Sequence, residues 1–317
     1  MPRSIPAFRF LCTAVVLVLA AAIVPFDAQA ASELEQHLRD QYNGKTFLLR
    51  NFYGGDSLRY DASGQLSKAA TPGDWTVDGV IQVNDVKVSS HHLTVRAKRV
   101  HLGWVGDVGF SPLEDAKDKK GNSEGTRGLH IEVEFGPGDA TAEQAEAVLG
   151  QIFLTSKDEL TALVPDYWKP CLLAASTSHG TGVYSGCRFS PDFLATPGVV
   201  PGPDHTSQSG QGDVMAELSN HPAPRIGRGM APPQRVSTPD PPFSDEARRA
   251  KYQGTAMLSL LVDKTGQVRN VRIVRPLGMG LDQKAVEAVS EWRFHPATKD
   301  GEPIDMPVNV EVSFHLY

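Results

Sequence analysis

Val308-Asn309-Val310-Glu311-Val312-Ser313-Phe314-His315-Leu316-Tyr317 alternates apolar and polar residues without a break. A period of two is the signature of a half-buried strand, so Val308, Val310, Val312, Phe314 and Leu316 face a core and the intervening residues face water. Working outward, Leu281, Ala285, Ala288, Val289 and Trp292 recur at helical spacing. That stripe predicts a helix which Asp282 can cap and Pro296 prevents from continuing. Before it, Gln253 to Asp263 and Gln267 to Arg275 read as strands joined by Asp263-Lys264-Thr265-Gly266, with glycine where a positive φ is needed. The order β-β-α-β predicts a three-stranded antiparallel sheet with a helix on its apolar face.

The chain has 317 residues, 40% of them hydrophobic, which suits about two domains with real cores. Net charge is −6 and no long basic run occurs, so nucleic acid is excluded as an expected partner. Residues 1–30 carry Arg3 and Arg9, an apolar stretch from Phe10 to Val24 and the small-residue ending Ala28-Gln29-Ala30. This reads as a secretory signal peptide cleaved after Ala30, with an uncleaved inner-membrane anchor as the alternative. Residues 31–190 read as a β-rich domain. Its expected strands include Thr46 to Tyr53, Ser57 to Asp61, Trp75 to Val77, Val80 to Val88, Leu93 to Leu102 and Leu129 to Phe135. Ser32 to Tyr42 and Ala142 to Phe153 read as helices, the second opened by the capping box Thr141-Ala142-Glu143-Gln144. Asp115 to Gly128 reads as a loop.

Residues 191–242, rich in Pro, Gly and Ser, cannot bury a core and read as a linker. As extended polyproline it would reach on the order of 160 Å at about 3.1 Å per residue. The second domain is then 243–317, and the fold class is α+β.

Of three cysteines, Cys171 and Cys187 lie outside the signal, sixteen positions apart. In an oxidising compartment a Cys171–Cys187 disulfide is expected, against two buried free thiols as the alternative. Chemistry is thinly represented. GxSxG, P-loop, HExxH and dinucleotide fingerprints are missing, so a non-enzymatic chain without a cofactor is expected. His91, His92, His101 and His130 are candidate metal ligands, but His91 and His92 would point to opposite faces of a strand, so no metal site is expected. Glu132 and Glu134 read as a solvated strand face, and Trp75, Trp104 and Trp168 as core more readily than as a ligand groove.

The C-terminal segment resembles the C-terminal domain of TonB-like energy transducers. The resemblance rests on Pro242-Phe243 with Ala247, Gly254-Thr255, Val262-Asp263-Lys264-Thr265-Gly266 and Leu281-Asp282-Gln283-Lys284-Ala285. It continues through Trp292-Arg293-Phe294-His295-Pro296-Ala297, Asp300-Gly301-Glu302-Pro303 and Val310 to Phe314. Ser244 departs from the pattern, standing where the family usually has a second proline. Phe47 to Tyr60 and Pro72-Gly73-Asp74-Trp75 resemble a domain found before such modules in some soil bacteria.

The C-terminal resemblance implies a periplasmic domain that adds a peptide segment of an outer-membrane transporter to its last strand, in energy-dependent transport across the outer membrane. The binding residues implied are Val308, Asn309, Val310, Glu311, Val312, Ser313, Phe314, His315 and Leu316. A proline at Val310 is expected to remove a donor from that edge. Inner-membrane motor proteins are implied as partners if the N-terminus stays uncleaved. The alternative is an envelope scaffold or peptidoglycan-associated protein that transduces no energy. An open edge also leaves self-pairing as an option.

Overall fold

The computed structural model describes residues 26–89, 91–106, 108–113, 116–117, 123–124, 127–136, 140–154, 157–176, 187–189, 227 and 229–316. Residues 1–25 of the predicted signal peptide (1–30) and most of the predicted linker lie outside the described residues. Among the described residues no helix is long and apolar enough to cross a membrane.

Helix α1 spans Phe26–Tyr42, beginning before the predicted Ser32 start and running through Ala30. Strands β1 (Thr46–Leu48) and β2 (Ser57–Asp61) follow, then α2 (Trp75–Asp78) where a strand was expected. The reason is local. Asp74 accepts the backbone N–H of Thr76 at 2.8 Å and so caps a helical turn, which overrides the strand preference of Trp75 and Val77. Next come β3 (Val80–Val88), β4 (His92–Arg99), and a hairpin of β5 (Leu102–Val105) and β6 (Gly109–Pro112). The stretch expected to be a loop carries a small pair, β7 (Ala116–Lys117) and β8 (Ser123–Glu124), before β9 (Gly128–Glu134). Helices α3 (Ala142–Ile152), α4 (Lys157–Leu163) and α5 (Lys169–Ser176) complete this half, and the predicted capping box at Thr141 and Gln144 is formed.

The large sheet has the order β1-β3-β4-β9-β2, antiparallel except for the parallel β2–β9 pair. One face is apolar. Ile81, Val83, Val86, Leu93, Val95, Leu129, Ile131 and Val133 pack under Leu34 and Leu38 of α1 and Val148, Leu149 and Ile152 of α3. The irregularity in β3 between Val83 and Asp85 shifts the alternation so that Val86 still points inward. Arg59 and Glu132 form an ion pair at 3.0 Å, with both side chains partly exposed.

After residue 229 come β10 (Met230–Ala231), β11 (Gln234–Ser237), α6 (Asp245–Arg249), β12 (Gly254–Val262), β13 (Val268–Arg275) and α7 (Leu281–Ser290). The chain ends with β14 (Arg293–His295), β15 (Ala297–Lys299), β16 (Glu302–Ile304) and β17 (Met306–Phe314). The predicted three-stranded antiparallel sheet is present in the order β13-β12-β17, with α7 packed on β13 and β12. The predicted linker ends earlier than expected. β10 pairs with β15 and β11 with β14, while Trp292 Nε1–H donates to the Pro239 carbonyl at 3.1 Å. These pairings draw the prolines of 232–242 into the C-terminal unit.

Asp282 does not cap α7. Its N-cap is Gly280 at φ 72°, and the buried Asp282 carboxylate instead accepts the N–H groups of Leu277 (2.8 Å) and Gly278 (2.6 Å). Asp282 is the second residue inside the helix, so its carboxylate reaches back to the N–H groups of the preceding loop and not to those of the helix's first turn. Ser244, the departure from the family pattern, caps α6 by accepting the Ala247 N–H and donates to the Met279 carbonyl at 2.5 Å.

Residues of the two halves share one core. Trp75, Val80, Leu102, Phe110, Trp168 and Cys171 form a single apolar cluster with Ala256, Leu258, Ile273, Leu281, Val289, Val310 and Phe314. Trp75 and Trp168 meet edge to face at 4.9 Å, which makes them core and not groove. Cys171 and Cys187 are disulfide-bonded with Cα atoms 5.2 Å apart, inside the same cluster.

Candidate functional site

The two edges of the β13-β12-β17 sheet differ. On the β13 side, the Ile273 N–H donates to the Tyr167 carbonyl at 2.9 Å, α5 packs against the strand, and Cys187 Sγ lies 3.4 Å from the Val274 carbonyl. The chain's own first half therefore covers that edge. On the β17 side, no strand pairs among the described residues.

Alternation fixes which backbone groups that edge presents. The Asp263 N–H donates to the Gln267 carbonyl at 2.9 Å, so Asp263 turns its backbone groups towards β13. In an antiparallel ladder successive residues turn opposite ways. Val262, Leu260, Leu258 and Ala256 then face β17, where their partners are Met306, Val308, Val310 and Val312. The Leu316 N–H, of the same parity, indeed donates inward to Gln253 Oε1 at 2.8 Å. Outward-facing groups therefore belong to Pro307, Asn309, Glu311 and Ser313. Pro307, which lacks an N–H, fits this phase because its nitrogen faces away from β12. Thr255 and Ser313, opposite one another in the close, non-hydrogen-bonded phase, bring their hydroxyls to 3.0 Å. The expected test position Val310 is thus on the wrong phase, since its N–H belongs to the existing ladder.

The predicted binding residues divide cleanly by side chain. Val310, Val312 and Phe314 are buried, Val308 and Leu316 are half-buried, and Asn309, Glu311, Ser313 and His315 are exposed. The strand begins at Met306 and ends at Phe314, leaving His315 and Leu316 beyond it. Glu311 lies 3.6 Å from Arg275 across β12, both flanking Met257. Half-buried Phe243 packs edge to face on Phe314 at 5.5 Å, lining the inner side of the open edge.

A second concentration of chemistry sits where the two halves meet. A cleft of about 370 Å³ is lined by Asp74, Asp78, Phe243, Glu246 and Lys284, among others. Arg127 ties the halves by reaching both Asp78 (3.1 Å) and Glu246 (3.4 Å), while buried Arg99 sits 3.3 Å from Asp78 and donates to the carbonyls of Asp78, Tyr53 and Gly55. Burial pushes Asp74 up to about 6 and Asp282 up to about 7, each further raised by negative neighbours. Tyr252 is pushed up to about 12 by burial, with its hydroxyl accepting the Trp104 N–H at 2.8 Å and lying 2.9 Å from the Leu277 carbonyl. Sequence reading passed over Asp74, Tyr252 and Tyr167 because their roles arise from residues far away in the chain. Pro307 alone carried a signal, a proline inside an otherwise regular strand.

His91 and His130 are exposed, His92 is half-buried and His101 is buried. Among the described residues no group of three or more His, Cys, Asp or Glu converges in a way that would hold a metal ion.

The region that carries this edge has known relatives. The family model described as Gram-negative bacterial TonB protein C-terminal matches residues 239–316. Protein TonB of Vibrio cholerae serotype O1 is 30% identical over 77 residues, 24% of this chain and 32% of that protein. Protein TonB of Xanthomonas campestris pv. campestris is 34% identical over 77 residues, 24% of this chain and 34% of that protein. The chain thus spans about a third of the length of these curated relatives. A solution NMR structure of the Pseudomonas aeruginosa TonB CTD aligns with 28% of this chain and 89% of its own, at 14% identity and a TM-score of 0.23. With the matched span coinciding with the β-β-α-β unit, this chain carries a TonB-like C-terminal domain.

Proposed function

We propose that the protein is an exported, TonB-like energy transducer which binds an extended segment of an outer-membrane transporter by adding it to β17. The observation that carries this reading is the asymmetry of the sheet. One edge is covered by the first half of the chain, and the other presents the backbone groups of Asn309, Glu311 and Ser313 outward. β-Strand addition takes its affinity from such groups and its specificity from alternate side chains. Export from the cytoplasm fits the disulfide, because such bonds persist in oxidising compartments.

A second reading is favoured by the shared core. A domain packed through Trp75, Trp168, Leu258 and Ile273 is held against its own first half, which suits a fixed envelope scaffold as well as a moving transducer.

The test of the first reading is capture of peptides from transporter plug segments by the full chain and by Asn309→Pro. Proline at 309 deletes an outward donor without touching the β12–β17 ladder. Binding that falls at least tenfold in a folded Asn309→Pro variant supports edge addition, and unchanged binding rejects it. To separate the readings, the protein is isolated from its own cells. An intact Met1 in the inner membrane favours the motor-linked transducer, and a start near Ala31 in the soluble periplasm favours the scaffold.

A further inference from the structure

The edge has its own chemical preference, which follows from its side chains and rests on the edge reading above. From Asn309 to the end of the strand the exposed row of β17 is Asn309, Glu311 and Ser313, so Glu311 is its one carboxylate and sits at the centre of the outward ladder. Its side chain is 61% exposed, and Arg275 at 3.6 Å is beyond hydrogen-bond reach. A strand added to β17 would place a side chain directly opposite Glu311, about 5 Å away, where an opposite charge stabilises and a like charge destabilises. The neighbours of that residue would point the other way, towards the side of Val310, Val312 and half-buried Val308 and Phe243. Pro307 closes the ladder at its other end because it offers only a carbonyl.

We propose that the occupant of the β17 edge is a proline-free extended segment with a cationic side chain opposite Glu311 and a branched apolar residue on each side of it. The chain's net charge of −6 draws the same class of ligand. A second copy of the chain fits poorly. Antiparallel self-pairing that keeps the two ladders in full register sets Glu311 against Glu311, a shift towards the start of the strand sets Pro307 against Ser313 or Glu311, and a shift the other way shortens the paired ladder.

The experiment is fluorescence anisotropy on the full chain with two labelled extended peptides, identical except for Val-Lys-Val or Val-Glu-Val at the centre. The lysine peptide binds about threefold to fivefold more tightly to the native protein. Glu311→Lys reverses the order, and Arg275→Gln widens the native preference by leaving the Glu311 carboxylate less neutralised. Raising the salt concentration shrinks the difference. Equal affinities that Asn309→Pro abolishes would overturn the charge preference and leave edge addition standing. An order that survives Glu311→Lys unchanged would likewise overturn it. Binding of neither peptide would overturn this inference together with the edge reading on which it rests.

Discussion

Gly103 and Gly278 face each other in an isolated antiparallel bridge that stitches the β5–β6 hairpin to the loop before α7. The Trp104 N–H donates to the Leu277 carbonyl at 3.0 Å and the Met279 N–H to the Leu102 carbonyl at 2.8 Å. Gly278 adopts φ +97°, and a β-carbon there would collide with the Leu102 carbonyl and Gly103. The bridge thus depends on a residue with no side chain.

Gly278→Ala is expected to destabilise the protein by about 2–4 kcal/mol, combining backbone strain at positive φ with loss of the bridge. Urea denaturation followed by tryptophan fluorescence checks this, because Trp75 and Trp168 report on the shared core. A midpoint shift of less than a few tenths molar would contradict it.

Stability is expected to rise as pH falls from about 7 towards 4. Asp282 and Asp74 have raised pKa values in the folded protein, chiefly by burial, against ordinary carboxylate values in the unfolded chain. The folded state therefore binds more protons in this window. The contribution is fully present below the unfolded value and lost as pH rises through about 6 for Asp74 and about 7 for Asp282. The groups around them are Asp78, Glu246, Tyr252 and Tyr167, with Arg99 and Arg127 on Asp78. Asp282→Asn keeps an acceptor for only one of the Leu277 and Gly278 N–H groups and so costs some stability at every pH, but it should flatten the upper part of the profile. An unchanged slope between pH 6 and 7.5 would count against the assignment.

Reducing the Cys171–Cys187 disulfide is expected to cost about 3 kcal/mol, the chain-entropy value for a loop of roughly fifteen residues. Thermal melts with and without a phosphine reductant measure it, and thiol titration of the denatured, unreduced protein should find neither Cys171 nor Cys187 free. The bond joins α5 to residues 187–189 at the covered β13 edge, so the loss should appear in the shared core.

Val310→Pro and Asn309→Pro should differ in kind. Proline at 310 deletes a β12–β17 hydrogen bond and is expected to cost about 3 kcal/mol or more, whereas proline at 309 leaves the fold intact and affects partner binding. Circular dichroism melts of the two variants side by side distinguish them. Equal destabilisation would mean that the assigned phase of the ladder is wrong.

Local pattern determined the elements. The alternation from Val308 to Phe314, the Asp263 turn and the stripe from Leu281 to Val289 depend on spacing within a few residues, and the C-terminal unit was legible from them. The Thr141–Gln144 box was legible for the same reason. Trp75 to Val77 forms a helical turn because the hydrogen bond that the Thr76 N–H donates to Asp74 outweighs a weak intrinsic strand preference. Tertiary structure alone decided which sheet edge stays open, which β17 backbone groups face out, and that the two halves share a core. Those facts depend on pairings such as Ile273 with Tyr167 and Gly103 with Gly278, more than a hundred residues apart. No periodicity within a strand records what covers its far side.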